Sequence, residues 1–81
     1  MDLKLKYIEF KNMLPGQVLL VSDAGRTYVA VVRGEVVDKT SPGDKNENFY
    51  VEVEEVTTNT KFTIGGWWSA PVCHLLPVHL F

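Results

Sequence analysis

The chain has a single cysteine, Cys73, so no internal disulfide can staple it. Its start, MDLKLKYIEF, carries lysines inside an apolar pattern and reads as no export signal, which points to a reducing cytoplasm. Long hydrophobic runs are also missing. No window offers the roughly 18 apolar residues of a membrane span. The stretch 62–81 lacks Asp, Glu, Lys and Arg, but Gly65-Gly66, Pro71, Pro77, His74 and His79 would leave a bilayer helix broken and polar. A soluble protein with no membrane partner is expected. Basic excess is absent too: eight Lys and Arg stand among ten acids, for a net charge of −2, a poor start for neutralising nucleic-acid phosphates. There is no Walker loop, dinucleotide fingerprint or zinc-protease helix.

What remains is one small domain. Eighty-one residues cannot divide into two stable cores, and 46% hydrophobic with 22% charged residues is a globular composition. Turn chemistry at Pro15-Gly16, Asp23-Ala24-Gly25, Ser41-Pro42-Gly43-Asp44, Thr58-Asn59, Gly65-Gly66 and Pro71 cuts the chain into short pieces. Between the turns lie β-branched and aromatic runs: QVLLVS, RTYVAVVRGEVV, NFYVEVEEV, TKFTIGG and VCHLL. The expectation is an all-β fold of about five strongly bent antiparallel strands, spanning 1–81 as a single domain.

Within Arg26–Asp38, Tyr28, Ala30 and Val32 fall on one face and Val29 and Val31 on the other, so both faces should be buried, and Gly34 should bend the strand. In NFYVEVEEV, Phe49, Val51 and Val53 alternate with Tyr50, Glu52 and Glu54. The slip at Glu54-Glu55-Val56 predicts a bulge, with Glu52, Glu54 and Glu55 on the solvated side. Thr58-Asn59 should close a hairpin. Residues 1–12 fit a strand or a short helix, with a strand favoured. KTSPGDKNE, 39–47, reads as an exposed, mobile loop.

These bent strands, in this order, resemble the SH3-like small barrels, a group that includes Tudor, chromo-like and KOW domains. The matching stretches are PGQVLLV, the kinked RTYVAVVRGEVV, the hairpin FYVEVEEVTTNTKFTIGG and the closing VCHLLPV, covering roughly residues 13–78. The resemblance implies a small barrel, a fold that carries many unrelated functions. The chain departs from peptide-binding SH3 domains, having no ALYDY or PSNYV-type signature, and from KOW units, having no basic glycine-centred loop. If the Tudor-type aromatic cage carries over, its candidates are Tyr28, Tyr50, Trp67 and Trp68.

Two consecutive tryptophans behind Gly65-Gly66 are the strongest functional signal. In an extended backbone adjacent side chains face opposite sides, so at least one indole should be exposed, as an interface anchor would be; the competing reading packs one in the barrel and the other under the terminal segment. The uncharged segment 62–81, with Val72, Leu75, Leu76, Val78, Leu80 and Phe81, holds more apolar surface than one strand of a small barrel buries, so the N-terminal segment, a second copy or another protein should cover it. Candidate partner-binding residues are therefore Trp67, Trp68, Tyr28, Tyr50, Leu76 and Phe81. Cys73, His74 and His79 lack zinc-site spacing, and Cys73 and His74 should point to opposite faces, so no metal, no cofactor and no catalytic pair is expected. The first expectation is a non-enzymatic protein-binding module, an accessory or inhibitory protein of viral or mobile-element origin. The alternative is a nucleic-acid module in which an aromatic stacks on bases and Lys4, Lys6, Lys11, Arg26 and Arg33 meet phosphate.

Overall fold

A computed structural model describes residues 5–79. The fold is all-β: β1 (Lys6–Tyr7), a single 3-10 turn (Phe10–Asn12), β2 (Gln17–Asp23), β3 (Arg26–Val32), β4 (Val37–Asp38), β5 (Phe49–Glu55), β6 (Thr60–Gly65) and β7 (Val72–His79). Seven strands replace the expected five, for two reasons. The long second run is broken into β3 and β4, and the N-terminal segment contributes the two-residue β1 before turning into the 3-10 helix. The ambiguity over residues 1–12 therefore resolves, from Leu5 onward, as a little of each.

All pairings are antiparallel. The sheet runs β1-β7-β2-β3-β5-β4, with β6 on the other side of β5. Because β3 and β4 lie end to end along the same side of β5, the sheet is a curled meander, a half-barrel in which β6 pairs only with β5 among the described residues. The break between β3 and β4 falls at Gly34. Arg33 and Gly34 both donate their N–H to the Glu52 carbonyl, at 2.9 and 3.3 Å, so two residues face one and the strand bends. The bulge expected at Glu54-Glu55-Val56 does not form: β5 keeps its register with β6 through Glu55↔Thr60. A second irregularity separates Gln17↔His79 from Leu19↔Leu75, where β7 passes through Pro77, a residue with no N–H to give the ladder.

The turns follow their chemistry. Asp23-Ala24-Gly25-Arg26 puts both central residues at positive φ, 48° and 80°, the two-residue hairpin whose twist matches the strands. Asn59, at φ 56°, ends the β5–β6 turn with its N–H on the Glu55 carbonyl. The 39–47 loop is exposed and internally bonded: Thr40 donates to the Asp38 carboxylate at 2.9 Å, and Asn48 donates to Thr40 Oγ1 at 2.8 Å.

The core lies inside the curl. Leu19, Val21, Ala30, Val32, Val51, Val53, Ile64 and Cys73 come from β2, β3, β5, β6 and β7, and Met13 closes one end, with Ile8, Phe10, Tyr28, Phe62 and Leu75 packed around them. Each fully buried aliphatic side chain contributes about 1.5–3 kcal/mol. On the opposite face Val31 is buried and Val29 half-buried, so the two-sided burial expected of β3 holds in part. The inward period of β5 continues through Val51, Val53 and Glu55, so Glu55 is buried, 4% exposed, and not on the solvated side with Glu52.

Candidate aromatic groove

Gly65 and Gly66 release the chain from β6 in a way no other residue could. Gly65 has φ 144°, and a Cβ there would lie 2.1 Å from the Phe49 carbonyl oxygen, while the Gly66 N–H donates to that same carbonyl at 2.9 Å. The backbone then bends, with Ser69 at φ 53°, before β7 begins. The tryptophans thus sit on a bent loop and not on an extended strand. Both are exposed, Trp67 at 50% and Trp68 at 78%, with their rings edge to face at 5.7 Å. The expectation that consecutive indoles point to opposite faces fails because the two glycines and the Ser69 bend remove the alternation.

Trp67 forms one wall of a groove of about 340 Å3. The N-terminal segment is the opposite wall, with Tyr7, Ile8 and Phe10; Phe49, Pro71 and Val72 complete the apolar lining. The polar lining is Glu9, Lys11 and Glu47. The Lys11 ammonium lies 3.3 Å from Glu47 and 3.4 Å from Glu9, and these hydrogen bonds, to Glu47 first, hold its pKa above the ordinary lysine value. Lys11 therefore ties the N-terminal wall to the end of the loop that leads into β5.

The other sequence candidates divide. Tyr50 lies beneath the tryptophan loop, its hydroxyl 3.4 Å from where a Cβ on Gly66 would be, with the Lys39 ammonium 5.4 Å from its ring centre. Tyr28 does not line the groove. It packs on Phe62 at 5.8 Å beneath the Arg26 guanidinium at 4.7 Å, and burial, then the charges of Asp23 and Cys73, push its pKa above the usual tyrosine value. No aromatic cage joins it to the tryptophans. Leu76 is half-buried on β7, away from the groove, and Phe81 lies outside the described residues. Sequence reasoning missed Tyr7, Phe10, Phe49 and Pro71. Tyr7 and Phe10 stood in the segment that fits a strand or a short helix, and Phe49 looked like one more inward residue of its strand.

Cys73 faces the core, and burial pushes its thiol up to about 11. His74 faces outward onto the Tyr7 ring, 6.1 Å away. The two cannot serve one substrate. Among the described residues no three His, Cys, Asp or Glu side chains gather as a cation site. Of the cations proposed for phosphate contact, Lys11 is paired with Glu9 and Glu47, Arg26 with Glu55, and Arg33 with Glu54 at 3.1 Å. No family model, curated protein or solved structure matches this chain.

Proposed function

We propose that the protein is a non-enzymatic binding module of SH3-like type that engages another protein through the groove beside Trp67 and Trp68. The observation that carries this reading is the pair of exposed, mutually packed indoles, of which Trp67 lines a groove shared with Tyr7, Phe10, Phe49 and Pro71 and Trp68 packs edge to face on Trp67. Exposed large aromatics in one patch are rare on a monomer, and such residues supply most binding energy at interfaces, about 2 kcal/mol or more each when a partner covers them. The strand order supports the SH3-like assignment: counting β3 and β4 as one bent strand gives β7-β2-β3-β5-β6, a meander whose last strand returns to pair with the first long one. Pairing of Lys11, Arg26 and Arg33 with carboxylates favours a protein over a nucleic acid as partner. The test is capture from a lysate of the native host by wild type, Trp67→Ala and Trp68→Ala, with circular dichroism to establish that each variant folds. A partner held by wild type and lost by the variants supports the reading, and equal capture by all three removes it.

A further inference from the structure

The segment Leu5–Asn12 crosses the half-barrel as a strap, and its attachment is thin. Among the described residues, Lys6 and Tyr7 alone pair with β7, opposite Leu75 and His74, and one further backbone bond runs from the Ile8 N–H to the Cys73 carbonyl at 3.1 Å. Leu5, Lys6 and Tyr7 are exposed; only Ile8 and Phe10 reach the core. There is space on both sides. Tyr7, Ile8 and Glu9 line the tryptophan groove on one side and, on the other, a cleft of about 460 Å3 with Lys6, Asn12, Gln17 and Leu75. A segment with voids on both flanks, two paired residues and only two side chains in the core belongs to the low-stability end of a fold. Its cross-link to the far wall is the exposed ion pair of Lys11 with Glu47.

We propose that Leu5–Asn12 is a displaceable strap, and that the seat it vacates takes a segment of a partner protein that runs extended along β7 and then turns, with two apolar side chains in place of Ile8 and Phe10 and a basic one in place of Lys11 at Glu47. This rests on the groove reading above and names the partner's chemistry. The strap itself shows what the seat accepts: antiparallel backbone pairing at Cys73–Leu75, two inward apolar side chains and a cation. A foreign segment fits the molecule better than a strap exchanged with a second copy. Exchange would reproduce the same contacts and leave Trp67 and Trp68 exposed, whereas a segment of different sequence can cover them while filling the seat.

The probe is a fluorescently labelled peptide of residues 5–12, LKYIEFKN, titrated by anisotropy into the full chain and into Lys11→Glu, which places a third carboxylate beside Glu9 and Glu47. Saturable binding is expected, about three-fold tighter in the variant, with the Ile8 amide exchanging its hydrogen about three-fold faster and the Val53 amide unchanged. Glu47→Gln loosens the strap without altering it. It should speed Ile8 exchange equally yet leave peptide affinity near wild type, because the seat has lost the contact the peptide's lysine would make. The proposal is overturned by no saturable binding to any of the three chains, by an Ile8 amide as protected as Val53 in all of them, or by a concentration-dependent dimer of Lys11→Glu that ignores the peptide. Trp67→Ala separates the two readings. Intact capture of the host partner by that variant removes the groove reading even if the strap moves, and lost capture with an immobile strap removes displacement alone.

Discussion

The guanidinium of Arg26, at the start of β3, donates to the carboxylate of Glu55, at the end of β5, and caps the core beside Tyr28 and Phe62. Glu55 is almost wholly buried; its second oxygen accepts only the Thr58 hydroxyl, at 3.3 Å. The lone charged side chain in the buried set among the described residues is therefore neutralised by a partner whose side chain is itself 62% exposed. Arg26→Ala leaves that carboxylate without its counter-charge, and because water can partly reach it from the Arg26 side the expected loss is about 2 kcal/mol, below the full cost of orphaning a deeply buried ion. Urea unfolding should show a lower midpoint with unchanged slope. Glu55→Gln, which removes the charge and keeps an acceptor for Thr58, should cost less than Arg26→Ala.

Glu55 also marks where sequence reasoning stopped. The five strand-forming runs, the hairpin turns and the bend at Gly34 were legible because each is written locally, in period-two alternation or in turn residues. Glu55 shares the inward period of Val51 and Val53, but it stands in one acidic run with Glu52 and Glu54, and its charge argued for water. The counter-charge that lets the carboxylate follow the inward period comes from Arg26, 29 positions away. The groove was illegible for a similar reason. Trp67 and Trp68 announced an interface, but the facing wall is set by Ile8 meeting Cys73, a contact between opposite ends of the chain. The bend that exposes both indoles needed the φ of Gly65 and Ser69, which composition does not specify.

Gly65 gives the sharpest test of that bend. Any Cβ there meets the Phe49 carbonyl at a separation no real contact shows, and φ 144° is strained for every other residue. Gly65→Ala should therefore cost well over the roughly 1–2 kcal/mol of left-handed backbone strain alone. Gly43 is the matched control. It has φ 81° but nothing within 4 Å of an added Cβ, so Gly43→Ala should lose only the strain component. Comparable midpoints for the two variants in denaturant would mean that the β6 exit does not press on Phe49.

Cys73 predicts the alkaline limb of stability. Its thiol is 1% exposed and, in the folded chain, is held at about 11, above the value near 9 that it has when solvated. The thiolate therefore forms first in the unfolded chain, so the thiol's contribution is fully present below about pH 9 and is lost as pH rises toward 11. Tyr28 and Lys11, also raised, act in the same direction at higher pH. Cys73→Ala should be less stable at neutral pH, from the lost packing, yet show a shallower decline between pH 9 and 11. At neutral pH a thiol reagent should label wild type only at the rate of unfolding, and fast labelling would place the sulfur at the surface.

Trp67 and Trp68 separate stability from binding. Trp68 touches little besides its neighbour's ring, so Trp68→Ala should move stability by no more than about 0.5 kcal/mol. Trp67 gives up half its surface to the groove wall, and Trp67→Ala should cost about 1 kcal/mol, still far from the 3–5 kcal/mol of an indole taken from a core. These are the only tryptophans in the chain, so its intrinsic fluorescence reports this patch alone. The folded protein should emit close to free tryptophan in water, be quenched readily by acrylamide, and change little in emission wavelength on unfolding. A partner seated in the groove should reverse all three, shifting emission to the blue and shielding both rings. If the free protein already emits blue and resists quenching, the indoles are covered without a partner, and the surface on which the binding assignment rests does not exist.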